Sequence, residues 1–322
     1  ELLLQNTDES GYLNNPAIKY IELRLGRICN LRCRFCSPVN STGWDIDYQK
    51  LYEGHENESI QNIIKNDSDN WSESDWFFNW FESTIKTLDT IQFAGGEPLI
   101  SPAHKKIIDK LISDKVSKNI NLVYVTNGTV LDQNLFERWT HFKSIHIFIS
   151  LEGIENNYEY QRWPAKWKNI EKNIVLMTTQ LGKSISKLTI QPHLNIFNVM
   201  NISSLAIWCM EQSPLLNWNK QLNFLTEPKW LSAFILTTEQ KNQAIFYMHQ
   251  NIEYINKKFS ESTKKEDVIL WLSAAAEAIC KEDWSSLQTE SKRLNAKLDR
   301  IRGCKSSDYL DEITNSFVCD QN

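Results

Sequence analysis

In the stretch LGRICNLRCRFCSP, three cysteines, Cys29, Cys33 and Cys36, fall within eight positions, with Arg27, Arg32 and Arg34 among them. Three thiols cannot pair off as disulfides, and seven cysteines spread unevenly over 322 residues do not form a secreted disulfide framework. Thiolates crowded this closely hold metal or carry out redox chemistry. A structural zinc site takes four protein ligands, usually in two close pairs, and no nearby His or fourth Cys completes this set. Three thiolates suit a cubane iron–sulfur cluster with one iron left without a protein ligand and open to another molecule. Further along stand Gly95-Gly96-Glu97-Pro98, then Thr126-Asn127-Gly128, then Ser150 and Glu152.

A regular succession of elements must position these residues. Short apolar runs with polar or Gly/Pro punctuation predict strands at 19–25, 90–96, 121–128, 144–153, 187–195 and 221–228. Helical patterns lie between them: 73–88, opened by Ser72 and Asp75, then 102–114, 132–139, 167–180 and 201–210. Strands alternating with helices imply parallel βα units, either closed into a barrel or wound into an open sheet. The chemically suggestive residues follow the C-terminal ends of successive strands, the rim at which a barrel gathers its active site. Beyond residue 231 the strand signal stops and three helices are predicted, over 239–259, 266–280 and 286–302. In the second, Val268, Leu272, Ala275, Ala276 and Ile279 share one face.

Composition narrows the classes. The chain is 41% hydrophobic with a net charge of −5, and its basic residues are dispersed, so it carries no nucleic-acid footprint. No apolar run is long enough to span a membrane, and the N-terminal ELLLQNTDESGYL meets acids too early for a signal peptide, so a cytoplasmic protein is expected. Between His55 and Asp75 six acids face Lys65 alone, a run expected to be a solvated loop. The twelve tryptophans are scattered, as core and interface residues are.

CNLRCRFC, with Phe35 before the last cysteine, and GGEP about sixty residues later on the next strand together resemble the radical S-adenosylmethionine (radical SAM) superfamily. The resemblance covers about residues 19–230. It looks closest to the twitch-domain branch through EYQRWPAKW, FLTEPKWL and LDRIRG. It implies a partial (βα)6 TIM-type barrel over residues 1–230 and a helical C-terminal extension over 231–322. It also implies a 4Fe-4S cluster on Cys29, Cys33 and Cys36 whose open iron binds S-adenosylmethionine. Carried over residue by residue, Gly95, Gly96 and Glu97 would hold the methionine amine and the backbone at Phe35 would touch the adenine. Ser150 and Glu152 would contact the methionine carboxylate and the ribose, with Glu152 standing where relatives have Asp. Asn127 falls in the family's TNG segment, Asn195 stands where relatives often have a polar contact, and Arg162 is a candidate partner for the methionine carboxylate.

The implied reaction is reductive cleavage of S-adenosylmethionine to a 5′-deoxyadenosyl radical, which abstracts hydrogen from a peptide or small-molecule substrate. An electron donor such as flavodoxin or ferredoxin is implied as a partner, with no nucleic acid and no membrane. The three arginines either tune the cluster or bind backbone carbonyls and acids. Cys280, Cys304 and Cys319 contain no C-x2-C pair of the kind that holds an auxiliary cluster. A non-catalytic iron–sulfur protein with a regulatory or assembly role is the alternative, and the intact GGEP argues against it. The helical extension is expected to cover the open side of the barrel, so that removing residues 286–322 would leave cluster binding intact.

Overall fold

The computed structural model describes residues 5–13, 17–66, 71–213 and 215–319. Its centre is a six-stranded parallel sheet in the order β1 to β6: Tyr20–Arg24, Thr90–Ala94, Asn121–Thr126, Ser144–Ser150, Lys187–Gln191 and Leu216–Trp218. Sequential order with every pair parallel is the topology of βα repeats. Among the described residues β6 does not return to β1, so this α/β fold is a partial barrel with an open seam.

Register explains how the sheet is held. Leu23, Phe93, Tyr124, Ile147, Leu188 and Leu216 are successive cross-strand partners, and all six are buried. The helices α1 (Trp44–Leu51), α2 (Glu58–Lys65), α3 (Asp75–Thr84), α4 (Pro102–Ser113), α5 (Gln133–Trp139), α6 (Glu155–Gln161), α7 (Trp167–Thr178) and α8 (Ile202–Gln212) occupy the connections. At the row's centre the Tyr124 hydroxyl meets His104 of α4 at 3.0 Å and accepts the Trp139 indole N–H of α5 at 3.1 Å.

The opposite face is different. Glu22, Gln92, Val123, His146 and Lys187 form the neighbouring cross-strand row, and each is half-buried or exposed. Parallel sheets are ordinarily buried on both faces. Here the second face is polar: the Tyr20 hydroxyl donates to Gln92 at 2.7 Å, Gln92 donates to Glu22 at 3.2 Å, and His146 meets Thr189 at 3.0 Å. The partial barrel therefore has a wettable interior.

Two local expectations change. The sixth strand is Leu216–Trp218, not 221–228; the later segment runs beside the chain just past β5, where Phe224 bridges Leu194. Both segments have apolar alternation, and only the register of Leu188 and Ile190 on β5 selects Leu216 and Trp218. The helix expected to open at Ser72 and Asp75 is capped by Ser74, whose hydroxyl accepts the Phe77 N–H at 3.2 Å, while Ser72 lies in a preceding 3-10 turn. The acidic run is partly helical, since α2 falls inside it. Asp67, Asp69 and the first four residues lie outside the described residues.

After β6 the chain is helical: α9 (Thr238–Lys258), α10 (Lys265–Ala278), α11 (Gln288–Arg302) and α12 (Glu312–Val318). The predicted face of α10 is buried throughout: Val268, Leu272, Ala275, Ala276 and Ile279. These helices share one continuous apolar core with the sheet, from Ile21 to Val318. No helix is long and apolar enough to cross a membrane among the described residues.

Candidate active site

The loop after β1 is held by its own backbone. Arg32 N–H donates to Trp163 O at 2.7 Å, Arg34 N–H to Gln161 O at 2.8 Å, and Glu97 N–H to Ile28 O at 2.8 Å. The Ser41 hydroxyl and the Trp44 indole hold the Leu31 and Cys33 carbonyls at 2.6 and 2.7 Å. With these groups tied down, the loop presents all three cysteines to one cavity of about 240 Å³, lined also by Phe35, Gly95, Gly96, Asn127, Ser150 and Arg162.

Burial shapes the thiols. Cys33 is buried and its pKa is pushed up to about 12, that of Cys36 to about 11, and that of Cys29 upward, in each case by desolvation. Without a cation these groups stay neutral; a bound metal centre supplies the charge that makes thiolate favourable. No three His, Cys, Asp or Glu side chains among the described residues converge as a single ion requires, and that includes both this triad and the tail cysteines. Three cysteines lining one cavity are the number of protein ligands that a 4Fe-4S cluster with one open iron takes, so the donor set fits such a cluster.

The loops after β2 and β3 close on the cysteines. Gly95 has φ of 79°, and a Cβ on Gly96 would stand 2.2 Å from the Ile28 carbonyl oxygen, so only glycine lets this backbone reach the cysteine loop. Asn127 Nδ2 donates to Asn30 at 2.9 Å and lies 3.9 Å from Cys29 Sγ. Glu97 does not line the cavity. Its buried carboxylate accepts the Thr126 hydroxyl and the Asn127 N–H at 2.7 Å each and the Leu99 N–H at 3.1 Å. Burial raises its pKa despite these three donors. Glu97 thus ties the β2 loop to the β3 loop.

Glu152 and Arg162 bind one another. Arg162 donates through Nε and Nη2 to the two Glu152 oxygens at 2.5 and 2.8 Å, and its Nη1 lies 3.7 Å from Cys33 Sγ. Burial alone would raise the Glu152 pKa, but the Arg162 guanidinium outweighs it, with His193 at 3.7 Å, and holds it below the ordinary carboxylate value. Arg162 lines the cavity and Glu152 stands behind it. Asn195 is buried outside the cavity, donating to Gln161 at 2.9 Å and accepting the Phe197 N–H at 2.8 Å.

The interleaved arginines bind acids and carbonyls. Arg27 pairs with Asp45 at 2.6 Å and reaches the Pro38 carbonyl at 3.2 Å; Arg32 pairs with Asp47 at 3.0 Å; Arg34, 1% exposed, pairs with Asp299. Tyr160 and Asp299 lie within EYQRWPAKW and LDRIRG without their pairing being legible there, and Asp47 lies in no motif.

The pattern of the Radical SAM superfamily matches residues 23–195, more than half of the chain. The chain belongs to the radical SAM superfamily. This radical SAM protein is 28% identical over 141 residues to an uncharacterised protein of Methanocaldococcus jannaschii, covering 44% of this chain and 41% of that one. It is 26% identical over 165 residues to the S-adenosylmethionine-dependent nucleotide dehydratase of Lacinutrix mariniflava, covering 50% of this chain and 29% of that one. The matches therefore span less than half the length of either relative. Among solved structures, native anSMEcpe with bound AdoMet and Cp18Cys peptide aligns at 12% identity and a TM-score of 0.47, covering 77% of this chain and 62% of that one.

Proposed function

We propose that this radical SAM protein binds a 4Fe-4S cluster through Cys29, Cys33 and Cys36 and cleaves S-adenosylmethionine reductively, to abstract hydrogen from a peptide or small-molecule substrate. The observation that carries this reading is the shared cavity: three cysteines, the glycine-restricted Gly95-Gly96 turn and the strand-end residues Asn127 and Ser150 line one space. A retained glycine turn pressed against the cysteine loop favours an enzyme over a non-catalytic cluster carrier, because cluster binding alone has no need of it. The chemistry the cluster and cosubstrate supply when bound is one-electron cleavage of the sulfonium and hydrogen abstraction from an unactivated C–H.

The chain's own residues position, shield and tune. Gly95 and Gly96 offer backbone groups to the methionine amine, with Glu97 fixing their loop. Ser150 at the end of β4 and the remaining donor capacity of Arg162 serve the carboxylate. Arg162 also presents positive charge to the Cys33 sulfur, which favours thiolate and the more reduced cluster. A second cavity of about 330 Å³, with Tyr48, Tyr52, Trp230 and Glu227 in its wall, adjoins the first through Phe35, Cys36 and Asn40, and the polar inner face of the sheet lies on the strands below. Both give a substrate room beside the site. We take residues 1–230 as the catalytic core and 231–322 as a twitch-like helical extension. Cys29, Cys33 and Cys36 must stay reduced to bind a cluster, which suits a reducing cytoplasm, where a flavodoxin or ferredoxin would donate the electron.

Anaerobic reconstitution tests the reading. Wild-type protein is expected to take up about four iron atoms per chain, as one cubane requires, and after dithionite reduction to form 5′-deoxyadenosine from S-adenosylmethionine. The Cys29/Cys33/Cys36→Ala triple variant should lose both. A fully loaded, reduced wild type that yields no 5′-deoxyadenosine would leave the non-catalytic alternative standing.

A further inference from the structure

Helix α11 lies against the cysteine loop and grips it at two points. Asp299 receives the Arg34 guanidinium, the Tyr160 hydroxyl at 3.1 Å and the Ser306 N–H at 3.0 Å. Asn295, one turn earlier, accepts from Arg34 Nη1 at 3.3 Å, and the guanidinium lies 3.5 Å above the Tyr160 ring. One turn later, Arg302 donates Nε to Asp47 at 3.0 Å and Nη2 to the Arg32 carbonyl at 2.7 Å. The other Asp47 oxygen accepts Arg32 at 3.0 Å, and the Arg302 guanidinium lies 5.1 Å from the ring of Trp44, whose indole holds the Cys33 carbonyl. Asp299 and Arg302 are three residues apart, on one face of the helix, and both are buried.

Stability alone is a weak reason for such an arrangement, because buried ion pairs seldom outperform apolar packing of the same volume. What they supply is geometry. The contacts of both residues reach the cysteine loop: Asp299 holds Arg34, and Arg302 holds the Arg32 carbonyl and lies against Trp44, which holds Cys33. The acids also offset part of the charge: Asp47 lies between Arg32 and Arg302, and Asp299 pairs with Arg34.

We propose that Asp299 and Arg302 are positioning residues of the cluster site, so that the C-terminal helix fixes the shape and the charge of the cysteine loop. The proposal rests on Cys29, Cys33 and Cys36 being the cluster ligands. Asp299→Asn removes the charge and keeps the shape. Arg302→Lys keeps a charge and loses the two-pronged contact. The double variant Arg34→Met/Asp299→Leu replaces the pair with apolar volume, which buried pairs often tolerate. Arg300→Gln, on an exposed position of the same helix, is the control.

Each full-length protein is reconstituted anaerobically. Melting before iron addition, iron release to a chelator, the EPR spectrum of the reduced cluster and its midpoint potential are then measured. Asp299→Asn and the double variant should release iron on the order of tenfold faster than wild type, with altered EPR spectra, as loss of a supporting partner does at other metal sites. The potential should rise in Asp299→Asn, where Arg34 is left unbalanced, and move less in the double variant, which changes no net charge. Arg302→Lys should fall between wild type and Asp299→Asn in iron release, and Arg300→Gln should match wild type. Wild-type release and spectra in both Asp299 variants would overturn the proposal, as would a double variant already unfolded before iron is added, which would make the pair a stability device. A wild type that binds no iron would instead overturn the cluster reading, and this proposal with it.

Discussion

Gly96 shows how much of the chemistry hangs on a missing side chain. A Cβ there meets the backbone carbonyl of Ile28 at 2.2 Å, and a carbonyl in a pinned loop cannot swing aside as a side-chain tip can. Gly96→Ala should therefore weaken S-adenosylmethionine binding by at least about tenfold, read from the cosubstrate's effect on the EPR spectrum, because separating the two loops costs on the order of 1–3 kcal/mol. Unchanged binding would remove this turn from the cosubstrate site. Glu97 acts at one remove, since its carboxylate serves three protein donors. Glu97→Ala leaves buried donors unsatisfied at about 1–3 kcal/mol each. Melting temperature and cosubstrate affinity should then fall together; a loss of affinity with no loss of stability would mean that the carboxylate touches the ligand directly.

Among the elements, α11 makes contacts that covering the open side of the barrel does not by itself require. A helix that only covered the open side of the barrel would be dispensable for the cluster. Instead, Lys297 donates to the Leu51 carbonyl at 2.8 Å, and Asp299 and Arg302 bind Arg34 and Asp47. Removing residues 286–322 strips Asn295 and Asp299 from Arg34 and Arg302 from the Arg32 carbonyl, and opens the apolar core that Leu294, Leu298, Phe317 and Val318 complete. The truncated protein should retain well under half of the wild-type iron after a desalting column. Full iron retention would return α11 to the role of a cover. A subtler element test is Ser74→Ala, expected to cost about 1 kcal/mol by removing the cap of α3, measured by urea unfolding.

The whole molecule carries a pH dependence through one core residue. His104 is 4% exposed, and burial holds its pKa at about 3 against an ordinary 6.5. An unfolded chain takes up a proton near pH 6.5, whereas the native ring refuses one until about pH 3. In that window the unfolded state binds more protons, so the His104 contribution to stability is complete above the upper value and lost as the pH falls toward the lower. The slope is at most about 1.4 kcal/mol per pH unit. His104→Gln keeps a partner for Tyr124 and should flatten the stability profile between about pH 6.5 and 5 by about 1 kcal/mol. An unaltered slope in urea titrations would show that other groups dominate acid unfolding.

Local chemistry wrote much of this protein directly. Short apolar runs between polar, Gly and Pro punctuation marked the first five strands, and the buried row through Phe93, Tyr124 and Ile147 shows which residues of those runs face the core. Cys29, Cys33 and Cys36 declared their grouping because three positions within one short loop stay near one another in any fold, while the shape of that loop rests on partners elsewhere in the chain. Strand-end Gly95, Gly96, Asn127 and Ser150 followed from parallel topology, which brings all C-terminal strand ends to one rim. Long-range pairing decided the rest. Leu216–Trp218 became β6 through its register with β5, which no local period encodes. Glu152 turned to Arg162, and Arg34 to a carboxylate 265 residues away, because a buried charge takes whichever partner the fold brings near, and sequence separation does not limit that choice.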